Sequence, residues 1–175
     1  MTEIHVPVVI IVFGLPGSGK SYFASAFADL IKAEYLNSDK LRMNLLSNRI
    51  YSEEEKMLVY DIMLLKVKEA VTHKKNVVAD ASFYKDSIRE KYVEHLKQKA
   101  KVLFIEVQAR EDLISERLVK ARQFSEADFE VYKKIKNQWE PLKKNHLTIH
   151  STDNNLAEIL LAALIYFLYH DKQPN

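Results

Sequence analysis

Ile10-Ile11-Val12-Phe13-Gly14-Leu15-Pro16-Gly17-Ser18-Gly19-Lys20-Ser21 is the stretch on which the reading of this chain turns. The chain has three glycines, Gly14, Gly17 and Gly19, and all lie inside it. Gly14-x-x-x-x-Gly19-Lys20-Ser21 is the spacing of a Walker A P-loop. Glycines let the backbone come close to a ligand because no Cβ stands in the way. Successive backbone N–H groups then curve into a concave anion site, and the helix that follows points its positive end at the same spot. The whole loop, Gly14, Leu15, Pro16, Gly17, Ser18, Gly19, Lys20 and Ser21, is therefore expected to hold nucleotide phosphates. Lys20 would reach the β- and γ-phosphates, and the Ser21 hydroxyl would bind Mg²⁺. The flanks agree: Val6–Phe13 is an apolar, β-branched run suited to a buried parallel strand. Ser21–Ala28 reads as a helix with Phe23 and Phe27 on one face.

Composition sets broader limits. A length of 175 residues predicts a single domain over residues 1–175, with room for a sizeable core. Hydrophobic content is 47% and charged content 29%, a globular balance rather than a disordered one. A net charge of +2 is too mild to demand nucleic acid, though it does not oppose an anionic substrate. With no cysteine, disulfides and thiolate metal sites are excluded, and a reducing cytoplasm is the expected location. Glu3 and the absence of a basic leading segment speak against a signal peptide. Leu156–Tyr169 is strongly apolar but too short to span a bilayer and carries Glu158, so no membrane association is expected. It reads either as a helix packed deep against a sheet or as a homodimer surface.

Along the chain, apolar runs alternate with helical patterns, the signature of an α/β domain with a parallel sheet. Strands are expected at Lys32–Asn37, Asn76–Asp80, Lys101–Val107 and Leu147–His150. Helices are expected at Ser38–Leu46, after the capping box Ser52-Glu53-Glu54-Glu55, and at Asp86–Lys99, Glu111–Ala121, Ser125–Trp139 and Asn155–Tyr169. Met57, Tyr60, Leu64, Val67 and Val71 make the apolar stripe of the second of these. With every glycine in one loop, the scaffold elsewhere is expected to be regular.

Chemistry-bearing residues follow the strands. Ligands of open parallel sheets sit beyond the carboxyl ends of the strands, so Asp39, just after Asn37-Ser38, is expected on the rim of the loop. A kinase needs a carboxylate to accept or orient the acceptor's hydroxyl proton. Arg42 lies one helical turn from Asp39 and could hold an anionic acceptor. The bland alternative is a helix cap and a surface pair. Asp80 ends a buried strand, where a carboxylate orients Mg²⁺ directly or through water. Arg89, in the next helix, could point at the acceptor or merely solvate that helix. Arg110, Arg117 and Arg122 bracket a helix and its break; on a lid, such arginines neutralise the transferring phosphoryl group. Arg117 has no acidic neighbour at helical spacing. The six histidines show no metal-ligand spacing, so no zinc is expected. Trp139 is expected to pack in the core rather than stack on a base.

Taken together, GLPGSGKS at 14–21, NSDKLR at 37–42, VVADASF at 77–83 followed by Arg89, ERLVKAR at 116–122 and SEADFEVYKKIKNQWEPL at 125–142 resemble the small P-loop kinases of the polynucleotide-kinase and zeta-toxin type, the AAA-like predicted kinases. The resemblance implies a P-loop NTPase fold: a three-layer α/β sandwich on a five-stranded parallel sheet of order 2-3-1-4-5, with an arginine-bearing helical lid over about 110–140. It implies ATP and Mg²⁺ as ligands, contacted by Lys20 and Ser21. It gives Asp39 the role of general base, Arg42 that of an acceptor contact, and Arg122 that of a lid residue on the phosphates. The implied activity is transfer of the ATP γ-phosphate to a hydroxyl, of a nucleotide or polynucleotide 5′ end or of a small metabolite or sugar. A non-catalytic ATP-binding regulatory module is the reading of another class. The chain departs from the family in having Ser82 where Thr is common, and no attached phosphatase or ligase domain is expected.

Overall fold

A computed structural model describes residues 6–50, 52–120 and 128–172. The sheet is five-stranded and parallel, with order β2-β3-β1-β4-β5. Its strands are β1 (Val8–Phe13), β2 (Glu34–Asn37), β3 (Val77–Asp80), β4 (Lys101–Gln108) and β5 (Leu147–His150). This is the order expected from the sequence; β5 has the expected bounds, and the other strands differ from expectation by a residue or two at their ends. β1 is central and wholly buried, which is why its run is continuously apolar.

The side-chain alternation of β1 builds the two halves of the core. Val9, Ile11 and Phe13 face α3 (Glu53–Thr72) and α4 (Asp86–Leu96), where Met63, Val67, Ile88 and Tyr92 pack. Val8, Ile10 and Val12 face α1 (Lys20–Leu30) and α7 (Leu156–Asp171), where Phe23, Phe27, Ile159, Ala163 and Phe167 pack. The result is the three-layer sandwich. Two short helices, α5 (Glu111–Val119) and α6 (Phe129–Asn137), share a small cluster of Ile114, Leu118 and Tyr132. Trp139 stacks on Phe13 with ring centroids 5.9 Å apart. The segment from Ser125 to Ala127, expected at the start of α6, and Ala121 and Arg122, expected at the end of α5 and beside the helix break, lie outside the described residues.

Register aligns the rim. Asn37 of β2 and Val12 of β1 both pair with Asp80 of β3, so three strands end at one level. The short helix α2 (Ser38–Leu45) starts there, with the Asn37 side chain accepting from the Lys40 N–H at 2.9 Å as its cap.

The scaffold outside the loop is built of regular helices and strands, but it has left-handed positions that no glycine marks. Lys32, Lys74, Phe83 and Gln98 all take left-handed angles. Lys32 and Lys74 each follow a helix end closed by a bond reaching back five residues, Ala33 N–H to Ala28 and Lys75 N–H to Ala70. That geometry usually has glycine at the left-handed position. Here lysine occupies it, so glycine counting did not reveal these turns.

Candidate active site

The loop between β1 and α1 is built around short approaches. A Cβ on Gly14 would run into the Val107 carbonyl of β4, so the loop can leave β1 only where no side chain stands. Gly19, at φ 90°, caps α1 in the left-handed region. No side chain caps α1, and its first turn has no acidic residue. Its first N–H groups and the positive end of its dipole are thus left for an anion. Lys20 and Ser21 open this helix. Among the described residues Lys20 is in no ion pair, which leaves its ammonium available beside the anion site.

Two further elements brace the loop. Ser151, directly after β5, donates its hydroxyl to the Ser18 carbonyl and accepts from Arg117 Nη1 at 2.9 Å. Its own N–H donates to the Gln108 carbonyl at 2.8 Å, which fixes it to the end of β4. Arg117 of α5 comes within 3.5 Å of the Gly17 carbonyl and pairs with Asp153 at 2.9 Å. The sequence showed no local acidic partner for Arg117; its partner comes instead from across the fold. Beside these groups a cavity of about 370 Å³ opens between α1, α5 and the start of α7, with Phe23, Leu156 and Ile159 as its apolar wall and Arg117, Lys120 and Thr152 at its polar side.

On the opposite flank of the loop stands Asp80, fully buried. Its Oδ2 accepts from Asn37 Nδ2 at 2.6 Å and from the Tyr35 hydroxyl at 2.7 Å. Asn37 Nδ2 also reaches Ser21 Oγ at 3.4 Å. Burial, and then the Asp80 charge, push the Tyr35 phenol far above its ordinary range, so it stays a proton donor to the carboxylate. Asp80 Oδ1 is buried with no hydrogen-bond partner. A buried, unsatisfied carboxylate oxygen is costly, and on a carboxylate whose Asn37 partner also reaches the Ser21 hydroxyl of the phosphate-binding loop it fits a hard divalent cation. Mg²⁺ typically uses one or two carboxylates plus substrate phosphates rather than a dedicated cage. The described residues accordingly need no cluster of His, Cys, Asp and Glu, and they contain none.

Asp39 and Arg42 both come to this rim. Arg42 is buried, and its guanidinium pairs with Asp39 at 3.0 Å and with Glu55 of α3 at 3.1 Å. Asp39 keeps about a third of its side chain exposed, at 33%. Arg42 therefore acts first as the group that holds Asp39, tied in turn to α3. The capping box at Ser52 forms by half: Ser52 Oγ accepts from the Glu55 N–H at 3.1 Å. Glu55 turns instead to the Ile50 N–H at 2.8 Å and to Arg42.

Arg89 is a correction. It was expected as a candidate substrate contact or a solvated residue, and it is neither. It is fully buried, with Nη1 donating to the Phe83 carbonyl at 2.7 Å and Nη2 to the Glu140 carbonyl at 2.6 Å. Those carbonyls, with Asp86 at 2.9 Å, hold the guanidinium inside the protein. It supports Phe83, whose left-handed φ of 45° is strained for a bulky residue. The Phe83 N–H donates to the Tyr60 hydroxyl at 2.9 Å, and that hydroxyl lies 3.0 Å from Ser82 Oγ. Arg110 is solvent-facing and paired with Asp112.

Sequence reading missed Tyr35, Ser151 and Glu55 as parts of this site. Ser151 had a signal, since it follows the carboxyl end of a strand. Tyr35 and Glu55 had none, because their roles depend on contacts with Asp80 and Arg42, 45 and 13 residues away along the chain.

Comparison with known proteins agrees with this architecture. No curated protein matches the chain in sequence. Among solved structures, a gluconokinase from Sinorhizobium meliloti 1021 has 21% identity and a TM-score of 0.66 over 97% of this chain and 99% of its own. The APS kinase CysC of Mycobacterium tuberculosis, in complex with AMPPNP and APS, has 15% identity and a TM-score of 0.73 over 93% and 98%. Kti12 of Chaetomium thermophilum, in complex with ADP-AlF3, has 16% identity and a TM-score of 0.72 over 95% and 100%. These likenesses show the P-loop kinase fold. A protein-family profile described as "AAA domain" matches residues 9–142, and with most of its length inside that match the chain belongs to this AAA-domain family of small P-loop kinase-like proteins.

Proposed function

We propose that this protein is an ATP- and Mg²⁺-dependent kinase that transfers the γ-phosphate to a hydroxyl acceptor. The observation that carries the reading is the position of Asn37. Its side chain bridges Ser21 Oγ and Asp80 Oδ2, and two residues later the chain presents Asp39. The metal-side groups and a carboxylate suited to proton transfer thus stand on one strand end.

In this reading the loop N–H groups and Lys20 hold the β- and γ-phosphates. The cavity lined by Phe23, Leu156, Ile159 and Arg117 takes the base and ribose, a role supported by its size and its apolar wall. Ser21 and Asp80 would hold Mg²⁺, which would offset the charge of the phosphates. Asp39, oriented by Arg42, accepts the proton of the attacking hydroxyl. Arg42 faces an anionic acceptor only as far as Asp39 and Glu55 leave it free to do so, so its orienting role comes first. Arg122 is kept, on the family resemblance alone, as the residue that closes on the transferring phosphoryl group. Similarity to a gluconokinase and an APS kinase supports an acceptor of metabolite size ahead of a polynucleotide.

The test is transfer of label from [γ-³²P]ATP to panels of sugars, nucleosides and 5′-hydroxyl oligonucleotides, with and without Mg²⁺. Mg²⁺-dependent labelling of any hydroxyl panel is the expected result. Tight ATP binding with no labelled product in any panel, and a nucleotide-dependent change of shape, would replace the kinase with a regulatory ATP-binding module.

A further inference from the structure

The outer face of α7 is apolar, as the homodimer reading of Leu156–Tyr169 requires. Its inner face, with Ile159, Ala163 and Phe167, packs into the core. Yet Leu161, Ile165, Leu168 and Tyr169 stand 59%, 61%, 44% and 63% exposed on the other side. A helix that is apolar all round is normally covered all round. None of the described helices is long and apolar enough to cross a membrane.

The spacing of this face says what could cover it. Glu158, Leu161, Ile165, Leu168 and Lys172 succeed one another at steps of three and four, the seam of a helix that packs on another helix. Glu158 and Lys172 are exposed, and among the described residues neither is in an ion pair. Ile165 lies midway between them, and also midway between Leu161 and Tyr169. Reversed about Ile165, Glu158 exchanges with Lys172, Leu161 with Tyr169 and Leu168 with Ala162, so the face meets itself with apolar on apolar and opposite charges at its ends. An antiparallel copy centred on Ile165 sets Ile165 on Ile165, Leu161 on Tyr169, and Glu158 on Lys172 at both ends, about 21 Å apart along the axis. This is the contact of a two-fold, isologous dimer. A membrane-surface helix would instead be bordered by several basic residues, and from Leu156 to Asp171 this helix has neither lysine nor arginine, Lys172 being its C-cap.

We infer that α7 pairs antiparallel with α7 of a second copy of this chain, in register about Ile165, to form a homodimer. The inference stands apart from the kinase reading, since no residue of the seam lines the nucleotide cavity. One helix per subunit is a small interface, so the association is concentration-dependent.

Sedimentation across a range of protein concentrations tests it. Wild type should approach twice the 20.4 kDa chain mass, and Ile165→Asp should stay at the single mass with unchanged nucleotide binding as the folding control. Glu158→Lys should weaken the dimer at least tenfold, and adding Lys172→Glu should restore it. The helix dipole alone predicts the opposite for that double variant, which it would make the worst of the three. A wild type that stays monomeric, an Ile165→Asp dimer, or a double variant that fails to recover would each overturn the proposal. So would capture of monomers by anionic vesicles through this face.

Discussion

Asp80 has one carboxylate oxygen committed to Tyr35 and Asn37 and the other buried without a partner. Two donors on Oδ2 fix the orientation of the group, and one of them, Asn37, also reaches the Ser21 hydroxyl that opens α1. If Oδ1 orients bound metal or its water, its loss acts on metal before it acts on nucleotide. Asp80→Asn is expected to raise the Mg²⁺ concentration for half-maximal activity by about 10–100-fold, with ATP affinity in the absence of Mg²⁺ unchanged. Equal Mg²⁺ curves for the variant and wild type would assign Asp80 to the cap of the rim alone. At this scale the sequence was informative about identity and weak about surroundings. Asp80 and Asp39 could be picked out because they follow strands. The burial of Arg89 could not, because nothing in its helical neighbours distinguishes a guanidinium facing water from one closing on the Phe83 and Glu140 carbonyls.

At the scale of elements, two devices are open to measurement. Lys74 closes α3 in the left-handed region at φ 57°, a conformation that costs a residue with a Cβ about 1 kcal/mol or more. Lys74→Gly removes that strain while keeping the backbone bonds at the helix end. It should stabilise the fold by up to about 1 kcal/mol, after the added flexibility of the unfolded chain is subtracted. Chemical denaturation would detect it as a higher midpoint at unchanged slope, and a lower midpoint would contradict the strain argument. The start of α3 is tied differently. Glu53 pairs with Lys56 at 2.8 Å and accepts from the Tyr84 hydroxyl at 2.9 Å, joining the helix to the segment after β3. The Lys56 hydrogen bond above all, with the Tyr84 hydroxyl, lowers the Glu53 carboxyl from 4.5 to about 2. A lowered folded-state pKa gives stability that is present above the unfolded value and fades as pH falls through the folded one. The stability gap between wild type and Glu53→Gln should therefore be full above about pH 4.5 and shrink toward pH 2. A gap that is constant with pH would place its origin in packing rather than charge. The capping box announced this helix correctly, but the long-range partners of Glu53 and Glu55 were not visible in it.

At the scale of the whole molecule, strand order, layers and the central strand follow from features the chain displays openly. Val8–Phe13 alternates its side chains between two helical layers, and the run of the P-loop into α1 fixes the first crossover. What brings the site together is less open: a sheet register that sets Asn37 beside Asp80, and a serine after β5 that holds the loop from behind. The central claim is that this rim performs phosphoryl transfer with Asp39 as the base. It is tested most directly by single-turnover transfer from labelled ATP to an acceptor found active with wild type, set beside the ATP dissociation constant of the same samples. For Asp39→Asn the account predicts an unchanged dissociation constant and a transfer rate lower by about 10²–10⁴-fold. Transfer at the wild-type rate would contradict it.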